Sequence, residues 1–301
     1  MNTSKNIILF TVDVEDWFQV ENFKSRISLS SWPSYELRVE KNVHRLLDLL
    51  DLLSAQEFHS DSSSKLQATF FVLAWIAERL PGLIREINAR GHEIASHGYS
   101  HNLCFQQSPI ELKKDLLDSK KLLEDIIGEP IFGYRAPSFS INSDALKVVE
   151  DCGYLYDSSF NSFGLNERYG KLALSENDKK GILYKLSSSF FEFPISNLKI
   201  GGLNLPMGGG GYFRLFPFSV FRWGIRSILK KEKAYLFYMH PWEIDPEQPR
   251  VAEISPLFKF RHYINLEKTY GRISSLINDF KDCRFISCSQ YINDASKSNK
   301  K

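Results

Sequence analysis

Short unbroken apolar runs alternate along this chain with stretches in which apolar residues recur every three or four positions. The first pattern marks strands buried on both faces and the second amphipathic helices, so their alternation predicts an α/β chain of βα units on a mostly parallel sheet. Residues 7–12 read as the first strand. Val39, Val43, Leu46, Leu47, Leu50 and Leu53 then share one helical face, the polar stretch 60–65 is a loop, and 68–73 is the second strand. Pro81 opens a helix that stops near Gly91, because proline suits the first helical turn and glycine its end. A short third strand at 92–96 precedes a helix that starts at Pro109, buries Leu112, Leu116, Leu122, Leu123 and Ile126, and closes at Gly128. Residues 131–134 and 154–156 supply two more strands around a helix at 145–152. The weakly periodic stretch 158–188 is expected to be an excursion over the mouth of a barrel. Strands at 190–195 and 234–239, a helix at 266–280 and a strand at 283–288 complete the series. With no internal repeat and no dividing linker, residues 1–295 are expected to form a single domain and 296–301 a disordered tail.

Composition narrows the function classes. The 301 residues suffice for one large α/β domain. Lys plus Arg number 38 against 36 Asp plus Glu, a net charge of +2 that gives no electrostatic reason to expect nucleic acid or a membrane surface as partner. Aromatic residues reach 14 %, which suits ring stacking on sugars but equally a large core. Cys104, Cys152, Cys283 and Cys288 form no C-x2-C pair, which argues against a thiolate zinc site and fits a reducing compartment. The apolar run 7–10 is too short for a signal-peptide core, and no run reaches the roughly 18 residues that span a bilayer. The expectation is a cytoplasmic protein without a transmembrane segment; oligomeric state is left open.

The chemistry gathers at strand ends. His97 and His101, with three residues between them, would face one way on a single helical turn and reach one divalent ion. The acids Asp13, Glu15 and Asp16 end the first strand. Two histidines with one carboxylate leave coordination positions open, as catalytic sites do and structural ones do not. Asp13, His97, Arg135, Asp157 and His240 each stand at or just past the C-terminal end of a predicted strand, where parallel α/β barrels build their active sites. Strand alternation puts Asp13 and Glu15 on one side and favours Glu15 as ligand; if the strand has already ended, Asp16 serves instead. The run Gly208 to Gly211 lacks the ending of a phosphate loop and more readily lets backbone approach a substrate, with Tyr212 and Arg214 nearby. Trp17 and Trp242 flank the proposed catalytic residues and could stack on a sugar. His92 reads as structural, and His44, His59 and His262 have no motif around them.

The ordered set Thr11-Val12-Asp13, Ser96-His97-Gly98-Tyr99-Ser100-His101, Arg135-Ala136-Pro137, Tyr156-Asp157-Ser158-Ser159 and Met239-His240-Pro241-Trp242-Glu243 resembles the five motifs of the polysaccharide deacetylases with nodulation-protein-B homology, carbohydrate esterase family four. The wording Asp-Val-Glu-Asp-Trp-Phe at 13–18, Gly-Gly-Gly-Gly-Tyr-Phe-Arg at 208–214 and His-Pro-Trp-Glu is similar to the subgroup tied to exopolysaccharide gene clusters. The resemblance implies a distorted (β/α)7 barrel that uses Zn2+ or another divalent metal to remove acetyl groups from N-acetylated amino sugars. The substrate would be a bacterial polysaccharide, exopolysaccharide or peptidoglycan-type glycan, or its precursor. It implies metal ligands in His97, His101 and the first-motif acid, and a general base in Asp13 held by Arg135. His240 would be the general acid, oriented by Asp157, and the backbone N–H of Ser138 would serve an oxyanion hole. Adjacent acids in many relatives become Asp13-x-Glu15-Asp16 here. Two other readings stand beside this one: a C–N hydrolase acting on a small cyclic amide or ureide, and a non-catalytic carbohydrate-binding relative.

Overall fold

The computed structural model describes residues 5–57, 65–164 and 169–297, so His59, most of the loop at 60–65 and the end of the expected tail lie outside the described residues. The strands are β1 (Ile7–Val14), β2 (Ala68–Val72), β3 (Glu93–Ser96), β4 (Gly133–Tyr134), β5 (Tyr156–Asp157), β6 (Lys179–Lys180), β7 (Leu183–Lys185), β8 (Phe191–Glu192), β9 (Asn197–Ile200), β10 (Leu203–Pro206), β11 (Ala234–Met239) and β12 (Arg284–Phe285). The helices are α1 (Val39–Glu57), α2 (Ala74–Arg79), α3 (Pro81–Ala89), α4 (Pro109–Ile127), α5 (Ser143–Asp151), α6 (Gly210–Leu215), α7 (Phe218–Glu232), α8 (Pro256–Tyr263), α9 (Leu266–Asp279) and α10 (Cys288–Lys297).

The sheet runs β11-β1-β2-β3-β4-β5-β8 with every neighbour parallel, then turns antiparallel through β7 and β6. It curls into a barrel with an open seam between β8 and β11. Two contacts bridge the seam: the Leu236 N–H donates to Ser196 Oγ at 2.9 Å, and the Tyr238 N–H donates to the Gly208 carbonyl at 2.8 Å. Strand alternation divides the core in two. Ile8, Phe10, Val12 and Val14 of β1 face the helices, with Phe70 and Val72 of β2 and Tyr235, Phe237 and Met239 of β11. Leu9, Phe71, Ala95, Tyr156, Phe193, Leu236 and Tyr238 fill the interior. Each large side chain buried this way contributes about 1.5–3 kcal/mol.

The long elements match the periodicity closely, and the helix α4 is set at both ends by local chemistry. Ser108 and Glu111 form a capping box, Pro109 follows, and Gly128 ends the helix at φ 74°. Three expectations change. The stretch 158–188 does not lie wholly over the mouth: Lys179, Lys180 and Gly181 sit beside Ile7 and Tyr291, at the opposite end of the barrel. Helices α6, α7, α8 and α10 and the β9–β10 hairpin fill stretches that periodicity left blank. Helix α10 also runs into the expected tail, as far as Lys297. No helix among the described residues is long and apolar enough to cross a membrane.

The seam makes one residue indispensable. Gly209 has φ 133°, and a Cβ there would stand 2.0 Å from the Tyr238 carbonyl oxygen. Gly209→Ala adds backbone strain to an impossible approach, and we expect it to cost about 2–4 kcal/mol. Urea unfolding of the two proteins measures this; an unchanged midpoint would mean that the seam yields.

Candidate active site

Alternation aims four of the five strand-end residues into the barrel mouth. Thr11 and Asp13 continue the inward face of Leu9, and His97, Arg135 and His240 lie on the inward side of the strands they follow. Asp157 does not. It adjoins inward Tyr156 and so faces the other way, beside Glu192, its register partner. Its carboxylate accepts from the Ser159 hydroxyl at 2.6 Å and the Ser159 N–H at 3.1 Å, and Ser159 Oγ in turn accepts from the Ala136 N–H at 2.7 Å. The expected pairing of Asp157 with His240 is therefore corrected: Asp157 braces the turn at Ala136. Burial and the neighbouring Asp157 push the Glu192 carboxyl well up.

Arg135 is fully buried and organises the base side. Its Nη1 donates to Asp13 Oδ1 at 2.6 Å and to Thr11 Oγ1 at 2.8 Å, Nε to the Ser158 carbonyl at 2.9 Å, and Nη2 to Ser158 Oγ at 2.8 Å. The guanidinium lies 4.0 Å over the Phe71 ring. One Asp13 oxygen is thus held, and the other, Oδ2, faces His240 Nε2 at 3.9 Å.

Glu15, His97 and His101 bring one ligand atom each within 4.8 Å of one another. His101 Nε2 stands 2.8 Å from Glu15 Oε2, yet that buried oxygen receives no hydrogen bond among the described residues. Two acceptors facing each other at that range fit a cation between them. His97 Nδ1 donates to the Arg135 carbonyl at 2.8 Å, which leaves Nε2 as the ligand atom. Burial pushes His97 down to about 4, so it stays neutral, as a ligand must. Burial alone would raise the Glu15 carboxyl, but His101, His240 and His97 outweigh it and bring it down to about 2. The two histidines do not share a helical turn: Gly98 at φ 74° and His101 at φ 54° fold 97–101 as a loop.

Asp16 leaves the ligand set. Past the end of β1 it turns away and accepts from the N–H groups of Trp17, Arg38 and Val39 at 2.8, 2.7 and 2.8 Å, anchoring the start of α1. Burial pushes its carboxyl up to about 6 in spite of these bonds. Trp17 is likewise structural: it packs edge-on against Phe18 and Tyr35, and its indole N–H points to the Glu36 carbonyl. The other substrate candidates, Ser138, Tyr212 and Trp242, do line the cavity of about 370 Å³ at the mouth, with Tyr169 and Phe258. Ser138 takes a left-handed backbone, φ 52° and ψ 24°.

Two residues there carry no assignment from the sequence. Glu243 Oε1 accepts from His240 Nδ1 at 2.7 Å and from the His240 N–H at 3.0 Å. Its position, three residues after His240 at the start of a short 3-10 turn, is the capping-box spacing that could have found it. His262 comes from α8, far along the chain, and no local signal predicts it. It stacks on Trp242 at 4.2 Å between centroids, Trp242 stacks on His240 at 5.2 Å, and the Trp242 N–H points to Glu15 Oε1 at 3.3 Å. Burial works to lower His240, but Glu15, Glu243 and Asp13 overcome it and raise the imidazole to about 9.

Two family models divide the chain: a polysaccharide deacetylase model matches residues 62–156, and a domain of unknown function (DUF3473) matches 158–293. The part of the chain at 62–156 is thus similar to polysaccharide deacetylases. The chain's similarities reach a Bacillus cereus peptidoglycan-N-acetylglucosamine deacetylase, 34 % identical over 30 % of this chain and 42 % of the relative. They also reach a Gibberella zeae peptidoglycan deacetylase-like protein, FGM2, 33 % identical over 50 % of this chain and 43 % of the relative. The chain thus spans about two-fifths of the length of these curated relatives. Among solved structures, a Mycobacterium smegmatis protein described as a polysaccharide deacetylase superposes with TM-score 0.60 at 20 % identity, over 100 % of this chain and 93 % of that one. Puue allantoinase does so with 0.58 at 16 %, over 96 % and 90 %. Both likenesses, at 20 % and 16 % identity, show the fold alone.

The neighbouring acids should separate cleanly. Glu15→Gln is expected to lose divalent-metal binding with little change in the stability of the metal-free protein. Asp16→Asn is expected to keep metal binding and lose about 1–3 kcal/mol as backbone donors lose their acceptor. Metal titration and urea unfolding check both; metal binding lost from Asp16→Asn would reverse the assignment.

Proposed function

We propose that this chain is a divalent-metal-dependent hydrolase that removes acetyl groups from N-acetylated amino sugars of a bacterial glycan. The observation that carries the reading is the convergence of a held carboxylate, an imidazole fixed through Nδ1 and a three-residue ligand set in one cavity. Glu15, His97 and His101 would hold the ion, which when bound polarises an amide carbonyl and acidifies water.

The rest is done by side chains of this chain. Asp13 accepts the proton of the attacking water through Oδ2 while Arg135 holds Oδ1. As the amide C–N bond breaks, His240 donates the Nε2 proton to the departing nitrogen. The Ser138 N–H, as the family resemblance implies, is the donor to the developing oxyanion. Tyr212, Tyr169, Phe258 and Trp242 give the cavity aromatic walls, which favour a sugar over a small cyclic ureide. The presence of base, ligands and acid speaks against a purely binding relative. An exopolysaccharide as the glycan rests on the motif wording at 13–18, 208–214 and 240–243.

Acetate release from N-acetylated oligosaccharides by the zinc-loaded protein tests the reading. Asp13→Asn and His240→Ala are each expected to lower kcat by about 10²–10⁴-fold with zinc still bound. Either variant, folded and metal-loaded, within a few-fold of the parent would remove that residue from its role.

A further inference from the structure

Beyond the reacting groups, the acid side of the cavity contains a buried ionic chain that no motif reading assigns. Arg214 Nε donates to Glu243 Oε2 at 2.6 Å, and the other Glu243 oxygen takes both His240 Nδ1 and the His240 backbone N–H. Arg214 Nη1 in turn donates to the carbonyls of His262 and Ile264 at 2.6 and 3.0 Å. Arg214 and Glu243 are each 1 % exposed. Burying such a pair takes both charges out of water, and the net gain in stability is small, so stability alone is a weak reason for it. What the pair does is geometric. With Nδ1–H bound to a fixed carboxylate, the imidazole keeps one tautomer and one orientation, and Nε2 is left toward Asp13 and Glu15 at 3.9 and 3.5 Å. The Trp242 ring, 19° from parallel to His240, fixes the plane from the side.

We propose that Glu243, itself locked by Arg214, is the positioning residue for the general acid His240 and takes the part that the family resemblance would give to Asp157. This rests on the deacetylase reading above. Glu243 binds the imidazole at Nδ1, away from the Nε2 that faces Asp13, and Arg214, although it lines the cavity, bonds to Glu243. Arg214, His240 and Glu243 all fall within the stretch matched as a domain of unknown function. That stretch thereby supplies the acid and the device that aims it, while the strands before it supply the base and ligands.

The test is a double-mutant cycle on the full-length, zinc-loaded protein, with acetate release, zinc content and melting temperature all measured. Glu243→Gln is expected to lower kcat by about 10- to 100-fold with KM and zinc content nearly unchanged, and to lower the melting temperature because Arg214 loses its buried carboxylate. In the His240→Ala background the same change should have no further effect, because a residue that acts through His240 has nothing left to act on. A Glu243→Gln enzyme within about threefold of the parent kcat overturns the proposal, as does a loss that multiplies undiminished onto His240→Ala. If Glu243→Gln fails to fold, Glu243→Asp, which keeps the charge but draws it back, goes through the same cycle with the same criteria. Near-parental kcat in His240→Ala alone would remove the acid itself, a distinct result that takes the positioning role down with it.

Discussion

A guanidinium with no access to water must find every one of its partners inside the protein, and the base side of this site is arranged around that demand. Arg135 meets it with Asp13, Thr11 and both the carbonyl and hydroxyl of Ser158, residues drawn from β1 and from the segment after β5. Its own carbonyl takes the His97 ring. One buried cation therefore sets the carboxylate of the proposed base, the tautomer of a proposed ligand and the spacing of three strand ends. Removing any one acceptor would leave a charge stranded in a low dielectric, which explains why a serine and a threonine are as firmly placed here as the acid they accompany.

The acid side repeats the same logic with the other arginine. Arg214 ties α6 to the chain at 262 and 264 and to Glu243, and the aromatic stack of His262, Trp242 and His240 rides on that frame. The two halves come from different stretches of sequence and meet across the mouth, where Glu15 touches both: its Oε2 faces His101 and its Oε1 the indole of Trp242.

Much of this is legible in the sequence, and the reason is periodicity. An unbroken apolar strand with an acid or a histidine at its end announces its own inward residues, and that pattern singles out Asp13 and His240, while Glu15 and Asp16 stay alternatives and Arg135, after the two-residue β4, is found by its motif. It fails where the alternation has to be counted through a strand too short to show it. β5 spans two residues, so nothing in the pattern says that Tyr156 rather than Asp157 points inward. It fails again where partners come from a distance: His262 has no local pattern, nothing in the run that ends at Arg214 names Glu243 as its partner, and only the fold brings α6 and α8 to the mouth. Trp17 reads as a sugar platform because it follows the acids, but just past the strand the chain turns it into the packing around Phe18 and Tyr35.

The two-residue period of β1 and β11 also limits how such a protein can diverge. Inserting or deleting a single residue within either strand would swing every later side chain to the opposite face, carrying Asp13 or His240 into the helical layer and an apolar neighbour into the mouth. These strands are therefore locked in length and not only in composition. The loops that follow their ends face no such parity, and changes of length among descendants of this fold should collect there, where the cavity can be reshaped without re-aiming the groups at its floor.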